Sequence, residues 1–239
     1  MMKALLWKEW HEQRWRVTLA TVWLLGMTAI GLKSRIEPDA TILVTIWIPT
    51  AVLLPAFVGM GVFASERKAG TLPYLMAQPV SRSRILAAKV ISGLAAYLIP
   101  VVTSGIAVCL AVGGREVSSA SLARGLIGIA ASGTVLFAWQ LLAGLRCHRE
   151  ETYVLVSLIV LVCCIVHWLI MNDVIFGDPL LETQLWAVNP FSIIGLAIDP
   201  SRYRRMDWTW IVITTQSVIL ASLGSSLWLR FRRLREGKS

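Results

Sequence analysis

The chain has 239 residues, of which 56 % are hydrophobic and only 15 % charged, with 23 basic against 14 acidic side chains and a formal charge of +9. Soluble domains run at about 45–50 % apolar and about 25 % charged residues, so this composition excludes an ordinary soluble protein and describes a membrane protein. The positive charge does not point to nucleic acid. The basic residues flank apolar runs, and no DNA- or RNA-binding motif accompanies them.

Taken in chain order, residues 1–16 carry Lys3, Lys8, Glu9, Glu12, Arg14 and Arg16 before any apolar run, a pattern that does not fit a cleaved leader. On a helical wheel Met2, Leu6, Trp7, Trp10 and Val17 share one broad side, with Lys8, Glu9, His11, Glu12 and Arg16 opposite. That predicts an in-plane interfacial helix over 1–16, with a simple basic anchor flanking the first span as the alternative, although Leu5 and Trp15 fall off the stripe. Apolar segments follow at 17–32, 41–64, 90–112, 125–145, 153–171 and 209–229. A hydrocarbon core of about 30 Å needs about 20 helical residues, and most of these segments reach or approach that length. The first is shorter, about 24 Å, but Arg16 and Lys33 at its ends can snorkel to the headgroups. The fold class expected is therefore all-α: a single polytopic domain over 1–239 with six transmembrane helices.

An even number of spans places both termini on one side, and the basic residues choose the side. With the termini in the cytoplasm, the inner segments hold Lys3, Lys8, Arg14 and Arg16, then Arg67, Lys68, Arg82, Arg84 and Lys89, then Arg146 and Arg149, then Arg230, Arg232, Arg233, Arg235 and Lys238. That is most of the chain's 23 basic residues, as the positive-inside tendency requires. Most tryptophans, including Trp7, Trp10, Trp15, Trp168, Trp186, Trp208, Trp210 and Trp228, sit near span ends, where indole is best accommodated. Trp23, Trp47 and Trp139 fall deeper and are expected to pack between helices.

The segment 65–85 is the most informative. Gly70 permits a turn, Thr71 is a candidate cap, and Pro73 suits the first turn of a short helix over 72–77. Pro79 ends that helix, Ser81 caps a longer one, and Leu72, Tyr74, Leu75 and Met76 offer apolar anchors to a partner. The run Glu66-Arg67-Lys68-Ala69-Gly70-Thr71-Leu72, followed by Pro79-Val80-Ser81-Arg82, Ile85 and Lys89, resembles the signature of type-2 ABC export permeases. The interfacial helix, the six spans and the motif Asn189-Pro190-Phe191 before the last span are also similar to that family.

The resemblance implies that the loop is a coupling helix seated in a separate cytosolic ATPase. The contact would fall on Glu66, Arg67, Gly70, Thr71, Leu72, Tyr74, Leu75, Pro79, Ser81 and Arg82, with Glu66 as a transmission point. It further implies a second, smaller contact at Arg146, Arg149 and Glu150, whose alternative reading is a set of solvated charges flanking a span. The resemblance also implies that a half-size chain pairs with a second permease, as homodimer or heterodimer, in the cell membrane.

Residues 172–208 are too long for a plain loop and too polar at first to span. The apolar stretch from Trp186 to Ile198, bounded by Pro190 and Pro200, predicts a re-entrant or surface helix pair containing Asn189, Pro190 and Phe191. His167 and Cys163 are four apart on one helix, but two ligands do not make a closed metal site. Small residues Gly125, Gly128 and Gly133 predict a close-packing face on the fourth span. No GxxxxGK[ST] phosphate loop is present, so ATP and magnesium are expected on the partner ATPase, with no cofactor, metal or catalytic residue in this chain.

The span interiors as drawn hold no Asp, Glu, Lys or Arg, which argues against an ion-coupled carrier and for an amphipathic or lipid-like substrate. The expected function is thus the permease subunit of an ATP-driven exporter. A non-transporting scaffold or mechanotransmission partner of an ATPase is the alternative. An intramembrane enzyme is disfavoured because no polar constellation converges at depth.

Overall fold

Every element of the computed structural model is helical among the described residues, which are 2–33, 53–59, 62–63, 66, 70–71, 77, 80–112, 119–147, 149–173, 179–198 and 208–233. The helices are α1 (Met2–Lys33), α2 (Arg82–Val112), α3 (Ser119–Arg146), α4 (Glu150–Asp173), α5 (Pro179–Val188), α6 (Ser192–Ile198) and α7 (Trp208–Arg233). Three of them contain stretches long and apolar enough to cross a membrane: Arg82–Leu110, Ala123–Arg146 and Trp210–Arg232, with a shorter apolar stretch at Glu151–His167. Most of the expected second span, 41–64, lies outside the described residues.

Helix α1 runs unbroken through the boundary expected at residue 16, because no proline or glycine interrupts it before Gly26. It buries Leu5, Glu9, Gln13, Val17, Leu24 and Thr28, a row at steps of four and seven, and packs along α2. This corrects the wheel drawn from hydrophobicity. Glu9, assigned to the water-facing side, is 3 % exposed, and Leu5, left off the stripe, is buried. Trp7 and Trp15, by contrast, are 68 % and 66 % exposed. The face is chosen by what α2 offers opposite it, and α2 offers a cation.

Helix α2 packs on α1, α3 and α7, and α3 also packs on α6 and α7. One core, at the end of the bundle that holds the start of α2 and the end of α7, joins Leu5, Val62, Phe63, Ile85, Leu145 and Phe231. A second core joins Tyr97, Val101, Ile129, Leu136, Leu161, Phe191 and Ile194. Of the small residues expected to form a close-packing face on α3, Gly133 packs closely there. The hydroxyl of Tyr97 donates to the carbonyl of Ile129 at 2.9 Å, and a Cβ placed on Gly133 would lie 1.8 Å from that hydroxyl. Trp23 and Trp139, expected between helices, are 65 % and 41 % exposed and face out of the chain.

Gly133→Ala forces the buried Tyr97 ring from its place. Overpacking of this kind costs about 1–3 kcal/mol, so the variant should melt at lower temperature than wild type in the same detergent. Gly26→Ala, with nothing within 4 Å of the added Cβ, should not.

Candidate functional site

The charged residues nearest the core converge at the end of the bundle where α2 begins. Lys89 stands two turns into α2 and is 1 % exposed. Its Nζ donates to Glu9 Oε1 at 3.1 Å and Oε2 at 3.3 Å, lies 2.9 Å from Glu66 Oε1, and donates to the carbonyl of Val62 at 3.2 Å. Phe63 offers its ring face 5.7 Å from the same nitrogen. Lys8, half-exposed, donates to Glu66 Oε1 at 3.1 Å and reaches Glu12 at 3.3 Å. Three segments distant in sequence are thereby tied through one pair of carboxylates.

An ammonium this deep is tolerable only because anions and a carbonyl replace its water. The electrostatics follow from the burial. Desolvation pushes the Glu9 carboxyl above the ordinary carboxylate range, even though the Lys89 charge and hydrogen bond pull the other way. Burial lowers the Lys8 ammonium, but the hydrogen bond and charge of Glu66, with Glu9 and Glu12, outweigh it and leave it raised. Oxygens of Glu9, Glu12 and Glu66 come within 4.8 Å of one another, the spacing of a cation site, yet Lys8 and Lys89 sit among them as counter-charges. The arrangement is a salt-bridge network. Glu66 Oε2 is buried and accepts no hydrogen bond among the described residues.

Of the residues expected in the loop contact, Glu66, Gly70, Thr71, Ser81 and Arg82 are described, while Arg67, Leu72, Tyr74, Leu75 and Pro79 lie outside the described residues. Glu66 is 5 % exposed and belongs to the network. Gly70 has φ +67°, the left-handed turn that favours glycine, and is exposed. Thr71 is itself helical and not at a capping position, and its hydroxyl donates to the Glu66 carbonyl at 3.3 Å. Ser81 holds the capping position of α2, its carbonyl accepting from the amides of Arg84 and Ile85. Arg82 Nη1 donates to the Arg232 carbonyl at 3.0 Å, tying the start of α2 to the end of α7.

Arg146 and Arg149 are exposed in the tight link between α3 and α4, and Glu150 begins α4. They are not brought to the network.

Helices α5 and α6 form the expected pair, joined at Asn189, Pro190 and Phe191, all buried. Asn189 Nδ2 donates to the Cys164 carbonyl at 2.8 Å and to His167 Nδ1 at 3.0 Å, which sets the His167 proton on Nε2. Its Oδ1 accepts from the Phe191 amide at 2.9 Å. Gln216 Nε2, on α7, donates to the carbonyls of Ala187 and Asn189 at 2.7 and 3.0 Å. His167 therefore serves the turn and not a site with Cys163, which is exposed.

Reasoning from hydrophobicity missed Glu9, Lys8 and Lys89 as network members, having assigned them to solvated faces or to the inner loop. The signal was present in the four-residue spacing of Leu5, Glu9, Gln13 and Val17.

A family model described as ABC-2 family transporter protein matches residues 6–227, nearly the whole chain. None of the curated proteins matches it.

Lys89→Met takes the close counter-charge from the buried Glu9 while Glu66 keeps Lys8, and should destabilise the protein by about 3–5 kcal/mol, whereas Glu9→Gln with Lys89→Met, which removes one charge of each sign and keeps the Lys8–Glu66 pair, should recover much of that. Thermal unfolding in detergent measures both. Because the folded state raises the Glu9 carboxyl, it binds that proton more tightly than the unfolded chain does. The Glu9 contribution is complete below the ordinary carboxylate range and is lost as pH rises through the folded value. The stability of wild type relative to Glu9→Gln should fall over that window.

Proposed function

The chain belongs to the ABC-2 transporter family, and on that premise we propose that it is the membrane permease subunit of an exporter driven by a separate ATPase. The observation that carries the reading is the network beneath the 66–89 segment. Glu66 lies four residues before the turn at Gly70, and Lys89 lies on α2, which follows. A push on residues 70–79 therefore reaches both flanks of the segment at once, and passes through Glu9 and Lys8 into α1. The buried ion pairs make this end of the bundle move as one body rather than flex.

ATP and magnesium belong to the partner in this scheme. Closure of the ATPase draws the 70–79 segments together and tilts α1 and α2 with them. Both termini lie in the cytoplasm, as the distribution of basic residues supports. The substrate is amphipathic or lipid-like, supported by the absence of Asp, Glu, Lys and Arg from the sequence segments 90–112, 125–145, 153–171 and 209–229. A second permease covers α4, whose residues Leu155, Leu158, Ile159, Val162, Val166 and Ile170 are exposed along nearly its full length.

The chain co-expressed with its cytosolic P-loop ATPase tests the reading. Wild type should co-purify with the ATPase, and Gly70→Asp with Leu72→Glu should abolish association while leaving a folded permease. Association unchanged in that variant removes the coupling role. Glu9→Gln with Lys89→Met should retain the ATPase yet lower vectorial transport per ATP hydrolysed in proteoliposomes by about tenfold. A cysteine placed at residue 70 of the otherwise cysteine-free chain should resist impermeant maleimide in intact cells; labelling there reverses the topology.

A further inference from the structure

A groove of about 610 Å³ lies between α3, α6 and α7, away from the ion-pair network. Its walls are apolar (Ile127, Val135, Ile193, Leu196, Val212 and Leu220), and Arg124 belongs to its lining at the α3 N-terminal end. From Arg124 to Val135 the α3 wall rises about 16 Å, roughly a dozen methylene groups of extended chain. Ile127 and Ile213 stand 67 % and 48 % exposed on its rim, so the groove opens sideways, onto the surface a bilayer would cover. Gly128 and Ala131 supply the depth, since larger side chains there would fill it. The α6 side is held in place by the turn that Gln216 secures.

We propose that this groove binds one acyl chain of an anionic membrane lipid, with the lipid's phosphate on Arg124. The argument is one of complementarity. Bulk lipid passes over a convex helix surface without preference, whereas a concave apolar channel with an arginine at one end can pair a chain with an anion. The length of the wall matches a chain and not a compact polar solute. The site is distinct from a path between two permeases, and its occupant is expected to be a resident lipid.

The test is native mass spectrometry of the delipidated full-length protein, titrated with phosphatidylglycerol or phosphatidylcholine of identical chains. Wild type should retain one phosphatidylglycerol in preference to phosphatidylcholine by about tenfold. Arg124→Gln should erase the preference without loss of chain binding, and Arg124→Lys should restore part of it. Ala131→Trp should reduce retention of both lipids. Inorganic phosphate at millimolar concentration should not displace the lipid; if it does, the site is a free-anion site and the proposal is overturned. Equal retention of the two lipids by wild type, or a preference that survives Arg124→Gln in protein with an unchanged melting profile, also overturns it. None of these outcomes depends on the ATPase, so failure here leaves the permease reading standing.

Discussion

A lysine side chain 1 % exposed, inside a chain with few charges, sets the terms for everything around it. Removed from water, its ammonium requires anions at contact distance, and the cost of leaving it without them exceeds that of most single packing errors. Glu9 and Glu66 are therefore not interchangeable surface charges. Their presence beside Lys89 decides which face α1 turns to α2, and hence why Leu5 and Val17 are buried while Trp7 and Trp15 are not. The aromatic contact of Phe63 with Phe231, 6.0 Å between centroids, then ties the end of α7 into the same corner. Polar pairing fixes the register, and apolar packing follows it.

The opposite problem arises at the link between α5 and α6. There helical structure breaks at a buried turn, and buried backbone groups need partners that a helix would otherwise supply. Asn189 and Gln216 provide them, one from within the turn and one from α7. Gln216 lies about 12 Å along α7 from its first residue, so the turn packs against the body of that helix and not its tip. Two carboxamides thus hold a break in helical structure, where two carboxylates hold a buried cation at the other site.

How much of this was legible in the sequence differs between the two ends. The helical segments α2, α3, α4 and α7 follow from apolar length, and their observed bounds enclose those expected, because lipid thickness and helical rise constrain both. Gly70 and Ser81 were legible because turn and cap chemistry is local. The burial of Glu9 and Lys89 was not, because a charge next to an apolar run is normally solvated, and the exception depends on a partner 80 residues away. Trp23 and Trp139 failed for a related reason: position along a span gives depth but not azimuth, so it does not distinguish a neighbour helix from lipid. Asn189 was marked by its motif, while its tie to His167 required the three-dimensional arrangement.

The contrast between the two sides of the bundle bears on how a push is used. Near the network, α1, residues Val62, Phe63 and Glu66, α2 and the end of α7 are joined by ion pairs, a backbone contact from Arg82 and a shared core. Helix α4 is held differently. It buries Tyr153, Ser157 and Leu161 along a single row, with Ser157 donating to Gln140 Oε1 at 2.5 Å, and leaves most of its remaining circumference exposed. A body that is rigid on one side and lightly attached on the other transmits displacement rather than absorbing it, and the displacement appears where attachment is weakest. In the exporter proposed above, that places the moving boundary along α4, between this chain and its second permease, and leaves the α3–α6–α7 groove on the side that travels with the lever.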